Sequence, residues 1–138
     1  MTAKEYLAQA YRLDQRINAK LEQVVSLNHL ATKCTSTITG MPRTPNSSTS
    51  TMADVITKII DLEEEINSDI DTLVDLKQSI MRIIKRVSNP EYQTLLELRY
   101  LCFKTWEQIA IDMNYGIDNI FKLHKNALAM VVLPETLQ

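Results

Sequence analysis

The sequence has few of the residues that make tight turns or aromatic cores. Glycine occurs only at Gly40 and Gly116, and aromatic residues make up 6% of the chain. Leu, Ile, Glu, Lys and Gln are common instead, and these residues favour helices, whereas a sheet needs many tight turns. The composition therefore predicts an all-α fold, and a length of 138 residues suits one modest core.

Cysteine and long apolar runs are also scarce. Cys34 and Cys102 are far apart, form no CxxC motif and have no histidine at metal-ligand spacing, so neither a zinc site nor a disulfide framework is predicted. No apolar run approaches the roughly 18 to 20 residues of a membrane span, and the charged N-terminal stretch lacks the apolar core of a signal peptide. We therefore expect a cytoplasmic protein with reduced thiols, no cofactor and no membrane contact.

Neither sign of charge is in large excess. The formal net charge is −2, so the chain as a whole offers no general attraction to nucleic acid. Any contact with DNA must come from a local patch of the surface, or from a partner that brings the chain to DNA.

The N-terminal residues 1–34 have the pattern of an amphipathic helix. Thr2 is a candidate N-cap, because Glu5 stands three residues later in the capping-box position. Apolar or small side chains fall on one helical stripe: Leu7, Ala10, Ile17, Leu21, Val24 and Ala31.

A Ser/Thr/Pro-rich stretch over residues 35–53 interrupts the helical pattern. Its Ser and Thr side chains compete for backbone hydrogen bonds, and Pro42 and Pro45 lack a backbone donor. We expect a loop over this range.

Residues 54–88 carry the clearest helical repeat. Apolar positions recur in steps of three and four, interrupted by one Glu and one Lys: Ile56, Ile59, Glu63, Ile66, Ile70, Leu73, Lys77, Ile80, Ile84 and Val87. Such a helix is roughly 50 Å long at about 1.5 Å per residue, too long to bury its stripe against a small core. We expect it to pair with the N-terminal helix in an antiparallel, coiled-coil-like hairpin, with a second copy in a homodimer, or with both.

Residues 90–133 have the layout of a helix-turn-helix domain. Thr105 is a candidate cap for one helix, and the turn after that helix contains Asn114 and Gly116. Ala110 supplies the small side chain that a close helix crossing needs. Asn114 stands four residues later, where glycine is usual, and Asn tolerates the left-handed conformation best among the other residues.

The strings LLELRYL, TWEQIA and IFKLHKNAL of this domain resemble region four of bacterial sigma factors. The whole chain, including RLDQRINAKLEQ and KIIDLEEEI, is similar to small phage and integrated-element proteins of firmicutes that join a helical hairpin to a sigma-like domain. The resemblance implies transcriptional control in a bacterial host cell, with promoter DNA and RNA polymerase as partners.

The candidate DNA-binding residues follow from the helix-turn-helix layout. Asn119 can pair with adenine and Lys122 with guanine at base edges. Phosphate contacts suit the residues at the rim of the motif, Lys104, Thr105 and Lys125. Asp118 lies at the start of the final helix, where its charge repels phosphate.

The acidic balance of this domain keeps a second function open. Residues 90–131 contain four basic and five acidic side chains, so the domain should bind DNA only weakly without a partner. The alternative is an interaction module that binds and blocks a host protein, such as polymerase or a nucleic-acid-processing defence enzyme.

An enzyme is not expected, because the sequence has no Gly-rich phosphate loop, no nucleophile beside a base and no metal-ligand set. His29 and His124 have no companion residues and are expected on helix surfaces.

Overall fold

The computed structural model describes residues 1–38 and 45–134, with side chains for 1–33 and 51–134. In these ranges the chain forms helices and no strand, which confirms the predicted all-α class. The helices are α1 (Ala3–Ile38), α2 (Pro45–Lys85), α3 (Pro90–Tyr100), α4 (Trp106–Met113) and α5 (Ile117–Ala129). Within the same ranges, none of the helices is long and apolar enough to cross a membrane.

The predicted loop over residues 35–53 is wrong at both ends. Helix α1 continues to Ile38 and α2 begins at Pro45, while residues 39–44 lie outside the described part of the chain. A proline fits the first position of a helix, since its missing N–H would find no partner there. Ser and Thr are also tolerated inside a helix when the hydroxyl bonds the carbonyl four residues back, as Thr57 does to Ala53 at 2.9 Å.

Helices α1 and α3 each begin with an identifiable N-cap. The predicted capping box is confirmed: the Glu5 amide donates to Thr2 Oγ1 at 3.2 Å, and the Thr2 amide donates to Glu5 Oε2 at 3.1 Å. Helix α2 ends at Lys85, three residues before the expected end. Asn89 then caps α3, because its side chain accepts hydrogen bonds from the first two amides after Pro90.

The chain divides into two compact units, and the first unit holds the main core. This unit comprises Met1–Asp14 and Leu73–Gln138. Its core is formed by side chains from all five helices, the α2–α3 connection and the segment after α5: Tyr6, Leu7, Ala10, Ile80, Ile83, Ile84, Val87, Leu95, Leu96, Tyr100, Ile109, Ile120, Ala127 and Leu133. Within it α3, α4 and α5 contact each other pairwise. Burial of these side chains supplies the main stabilising term for the short helices, which are too short to be stable alone.

The second unit, Gln15–Thr72, consists of α1 from Gln15 onward and the first part of α2. Lys20 Nζ lies 2.7 Å from Asp69 Oδ2 and 3.6 Å from Glu65, and Arg16 Nε lies 3.8 Å from Asp69. Earlier residues of α1 therefore meet later residues of α2, so the two segments run antiparallel, as the sequence predicted. The Arg16 and Glu65 side chains are 66% and 59% exposed, so their contacts add little stability. The Lys20 and Asp69 side chains are only 13% and 16% exposed, and their pair fixes the register of the two helices.

We predict that Ala110→Leu lowers the free energy of unfolding by roughly 1 to 3 kcal/mol, because Ala110 packs against the core and a larger side chain would overpack that contact. The neighbouring Ile111→Leu is the matched control, since Ile111 is 74% exposed and should tolerate the change. Urea unfolding of both variants measures the difference. Equal stability of the two would show that α4 has room at Ala110.

Candidate functional site

Helices α4 and α5 are joined by a tight turn whose conformation depends on Asn114. This residue has φ 59° and ψ 45°, the left-handed conformation predicted for it. Its amide and that of Tyr115 bond the carbonyls of Ile111 and Ala110, which closes the end of α4. Gly116 has a negative φ and begins α5 without a side-chain cap, so the turn uses the conformational freedom of Asn114.

Two side-chain hydrogen bonds stabilise the chain at the two ends of α4. Thr105 is the N-cap that the sequence predicted: its hydroxyl accepts a hydrogen bond from the Gln108 amide at 3.2 Å. After the turn, the Tyr115 hydroxyl donates to the Glu91 carboxylate at the start of α3. The start of α5 is therefore held in place by the turn that joins it to α4 and by the Tyr115 side chain, which bonds α3.

Helix α5 has one buried and one exposed face. Ile120, His124 and Ala127 are buried at spacings of four and three. Four of the six candidate residues lie on the exposed side of this helix: Asp118, Asn119, Lys122 and Lys125. Lys122 follows Asn119 by three positions and Asp118 by four, and Lys125 follows Lys122 by three, so these side chains are neighbours on the helix surface. We call this group the α5 face.

The other two candidates, Lys104 and Thr105, lie at the start of α4 and have bonds of their own. Lys104 Nζ is 2.6 Å from Asp112 Oδ2, and Gln108 also bonds that carboxylate at 3.2 Å. The hydrogen bond to Asp112 raises the pKa of Lys104, and the same bond lowers the pKa of Asp112. A phosphate would have to compete with Asp112 for Lys104, while the Thr105 hydroxyl is engaged as the helix cap.

His124 is buried, so the prediction that it lies on the helix surface is wrong. It is 8% exposed, and its Nε2 is 2.6 Å from the hydroxyl of Tyr100 on α3. Its ring also lies edge-on to Trp106 of α4, with centroids 4.5 Å apart. The sequence did contain a clue, because His124 follows the core residue Ile120 by four positions, on the stripe that faces the core.

Burial keeps both members of the Tyr100–His124 pair neutral near pH 7. Desolvation, with smaller contributions from the charges of Lys4 and Arg99, lowers the pKa of His124 to about 4. Desolvation also raises the pKa of Tyr100 to about 12. A neutral, packed pair of this kind positions α5 on α3 and is poorly suited to proton transfer.

An aromatic and cationic cluster at the α4–α5 contact was not foreseen from the sequence. The Arg99 guanidinium carbon lies 4.4 Å from the centroid of the Trp106 ring, and Arg99 Nη1 donates to the Lys104 carbonyl. Phe121 lies edge-on to Trp106, with centroids 5.5 Å apart, and is 47% exposed. Phe121 thus borders the α5 face with an apolar ring.

A family model described as protein of unknown function (DUF1492) matches residues 44–131, from the start of α2 to just beyond α5. No curated protein and no solved structure matches the chain. Among the described residues, no group of three or more His, Cys, Asp or Glu side chains could hold a metal ion. The likeness to sigma factors stays a prediction from the sequence.

We predict an acid-sensitive stability that depends on His124. Its folded pKa of about 4 lies below the ordinary value of 6.5, so protonation favours the unfolded chain. The stability contributed by neutral His124 is present above pH 6.5 and is lost as the pH falls towards 4, by roughly 2 kcal/mol at pH 4.5.

Urea unfolding at pH 7 and pH 4.5 measures this loss. His124→Gln should show a smaller loss than the wild type, because Gln does not titrate. His29→Gln is the matched control and should retain the wild-type loss, since His29 is exposed. Equal losses in all three proteins would show that His124 does not govern acid stability.

Proposed function

The chain belongs to the DUF1492 family of proteins of unknown function, and we propose that it is a phage-type transcriptional regulator whose helix-turn-helix domain binds double-stranded promoter DNA. In this proposal α4 is the supporting helix and α5 is the recognition helix. The protein has no catalytic activity of its own and acts in the cytoplasm of the host cell. RNA polymerase is a further partner, as the resemblance to sigma factors implies.

The observation that carries the proposal is the two-sided character of α5. The buried side chains Ile120, His124 and Ala127 anchor one side, while the α5 face remains accessible along the opposite side. The major groove of B-DNA, about 12 Å wide, admits one α-helix with its side chains. A recognition helix needs this division, because the side that reads bases cannot also form the core.

The chemistry of the α5 face suits a small number of base contacts. The side-chain amide of Asn119 offers a donor and an acceptor, which match N7 and N6 of adenine, and the Lys122 ammonium can donate to O6 and N7 of guanine. Lys125, one turn further along, can reach a phosphate. Phe121 borders these residues and can contact a thymine methyl group.

The charges of the domain limit how tightly it can bind DNA without a partner. The ion pair with Asp112 reduces the positive charge that Lys104 can offer to a phosphate. Asp118 is exposed in the first turn of α5, where a carboxylate favours the helix dipole but repels the DNA backbone. We therefore expect weak binding to non-cognate DNA and a need for a second contact, with polymerase or with another copy of the chain.

The same features support a second candidate function, binding to a host protein without reading DNA. Ile111 on α4 is 74% exposed and follows the exposed Glu107 by four positions. Phe121 on α5 is 47% exposed and follows the exposed Asp118 by three positions. Exposed apolar side chains with an acidic surround suit a protein partner with a basic rim better than a phosphate backbone.

We predict that Asn119→Ala and Lys122→Ala each weaken binding to a cognate site by about 1 to 3 kcal/mol, through loss of base contacts. Asp118→Asn should strengthen binding to any duplex, because it removes a charge that repels phosphate. The measurement is a titration of labelled promoter fragments, from the genome that encodes the protein, at two salt concentrations.

Two control substitutions test whether the changes in DNA affinity come from the α5 face. Lys58→Ala removes an exposed lysine of the second unit, and Glu107→Gln removes an exposed acid from the first turn of α4. The first should leave affinity unchanged, and the second should have a smaller effect than Asp118→Asn. Absence of binding at low salt, even with Asp118→Asn, would contradict direct DNA reading and favour the protein-binding function.

A further inference from the structure

The last part of α2 carries exposed basic side chains and no acidic ones. Residues 76–90 contain four basic side chains and no Asp or Glu. Lys77 is partly buried, with its ammonium 4.7 Å from the centroid of the Phe103 ring. The other three are exposed, and we call them the α2 basic patch: Arg82, Lys85 and Arg86.

The three cations are neighbours on the outward side of the helix. Lys85 and Arg86 follow Arg82 by three and four positions, the spacing of side chains that are adjacent on a helix surface. The helical turn continues past Lys85, since the Arg86 amide donates to a carbonyl three residues back at 3.2 Å. The buried side of this segment carries Ile80 and Ile84, which face the core of the first unit.

The positive charge of the α2 basic patch is not neutralised within the described part of the chain. Where side chains are described, in residues 1–33 and 51–134, none of the three cations forms an ion pair. They are also not needed as caps, because Gln93 Nε2 donates to the carbonyls of Lys85 and Val87 at the end of α2. Basic side chains near a helix C-terminus complement its dipole, and this role leaves their charged groups in solvent. The patch is therefore available to an external anion.

The start of α3 connects the α2 basic patch to the start of α5. Gln93 of α3 bonds the end of α2, and Glu91 of α3 accepts the hydrogen bond from Tyr115, two residues before α5. Asn119 lies in the first turn of α5, and all these residues belong to the first unit. Phosphates line both edges of the major groove, which is about 12 Å wide, so a helix end inside the groove has phosphates on each side. Cations next to the start of α3 are therefore close to those phosphates when α5 enters the groove.

The patch also supplies the positive charge that the helix-turn-helix domain lacks. Residues 90–131 contain four basic and five acidic side chains, and residues 77–89 add four basic side chains and no acidic one. The formal charge of residues 77–131 is therefore +3, where residues 90–131 alone have −1. A surface of this sign attracts the regularly spaced charges of a phosphate backbone.

We propose that the α2 basic patch binds the phosphate backbone of duplex DNA beside the groove that α5 enters. This inference rests on the proposed function, since the α5 face determines where the duplex lies. Arginine offers a planar fork to phosphate oxygens and lysine a compact charge, and neither contact depends on the base sequence. The patch therefore adds affinity for any duplex, whereas Asn119 and Lys122 select the cognate sequence.

The salt dependence of DNA binding by the full chain tests the patch. The dissociation constant is measured at several salt concentrations for a labelled promoter fragment and for a shuffled duplex of the same length. The triple variant Arg82→Gln, Lys85→Gln and Arg86→Gln should reduce the slope of log K against log salt concentration by roughly two to three, because each phosphate contact contributes about 0.9. Its affinity should fall by the same factor, at least roughly tenfold, for both duplexes.

Two further triple variants serve as controls. The first removes the same charge from exposed cations outside the patch and should leave the slope nearly unchanged: Arg12→Gln, Lys33→Gln and Lys58→Gln. The second keeps the charge of the patch and should retain the wild-type slope, because counterion release depends on charge: Arg82→Lys, Lys85→Arg and Arg86→Lys. Thermal unfolding followed by circular dichroism checks that each variant folds.

The possible failures are distinguishable. A glutamine variant of the patch with the wild-type slope and affinity would overturn this inference and leave the proposed function intact. An equal loss in the glutamine variant outside the patch would overturn the assignment to α2, and a loss for the promoter fragment alone would contradict backbone binding. A wild type that binds neither duplex at low salt would overturn the proposed function and this inference with it.

Discussion

The buried hydrogen bond between Tyr100 and His124 determines which side of α5 faces the solvent. It joins α3 to α5 at 2.6 Å, and Trp106 of α4 packs against the same histidine ring. All three helices of the C-terminal region thus meet at one polar pair within an apolar core. A buried polar pair is stable only when both members are satisfied, so it favours one rotation of α5 over others. An apolar contact alone would specify that rotation less strictly.

The exposed side of α5 acquires its chemistry as a consequence of this anchoring. With Ile120, His124 and Ala127 turned inward, Asn119, Lys122 and Lys125 must lie outward. The left-handed turn at Asn114 sets where α5 starts, and the Tyr115–Glu91 hydrogen bond restrains the next residue. The proposed DNA contacts therefore depend on core side chains that would not touch the DNA themselves.

Local features were predictable from the sequence, and features that depend on the neighbours were not. The capping box at Thr2, the cap at Thr105 and the left-handed Asn114 each depend on a few adjacent residues, and all three are present. The ends of α1 and α2 were misplaced, because Ser, Thr and Pro disfavour helix on average but fit near its ends. His124 was misjudged, since its partner Tyr100 is 24 positions away. The pairing of Lys104 with Asp112 was missed for a similar reason, as eight residues and the start of a helix separate them.

If the α5 face reads bases, as we propose, the side-chain amide of Asn119 should report on it most directly. The measurement is an NMR titration of the full chain with a promoter duplex, following the side-chain amide resonances. We predict that the Asn119 amide shifts as the duplex binds, while that of Asn67 in the second unit does not. A duplex that binds without moving the Asn119 resonance would contradict base reading by the α5 face.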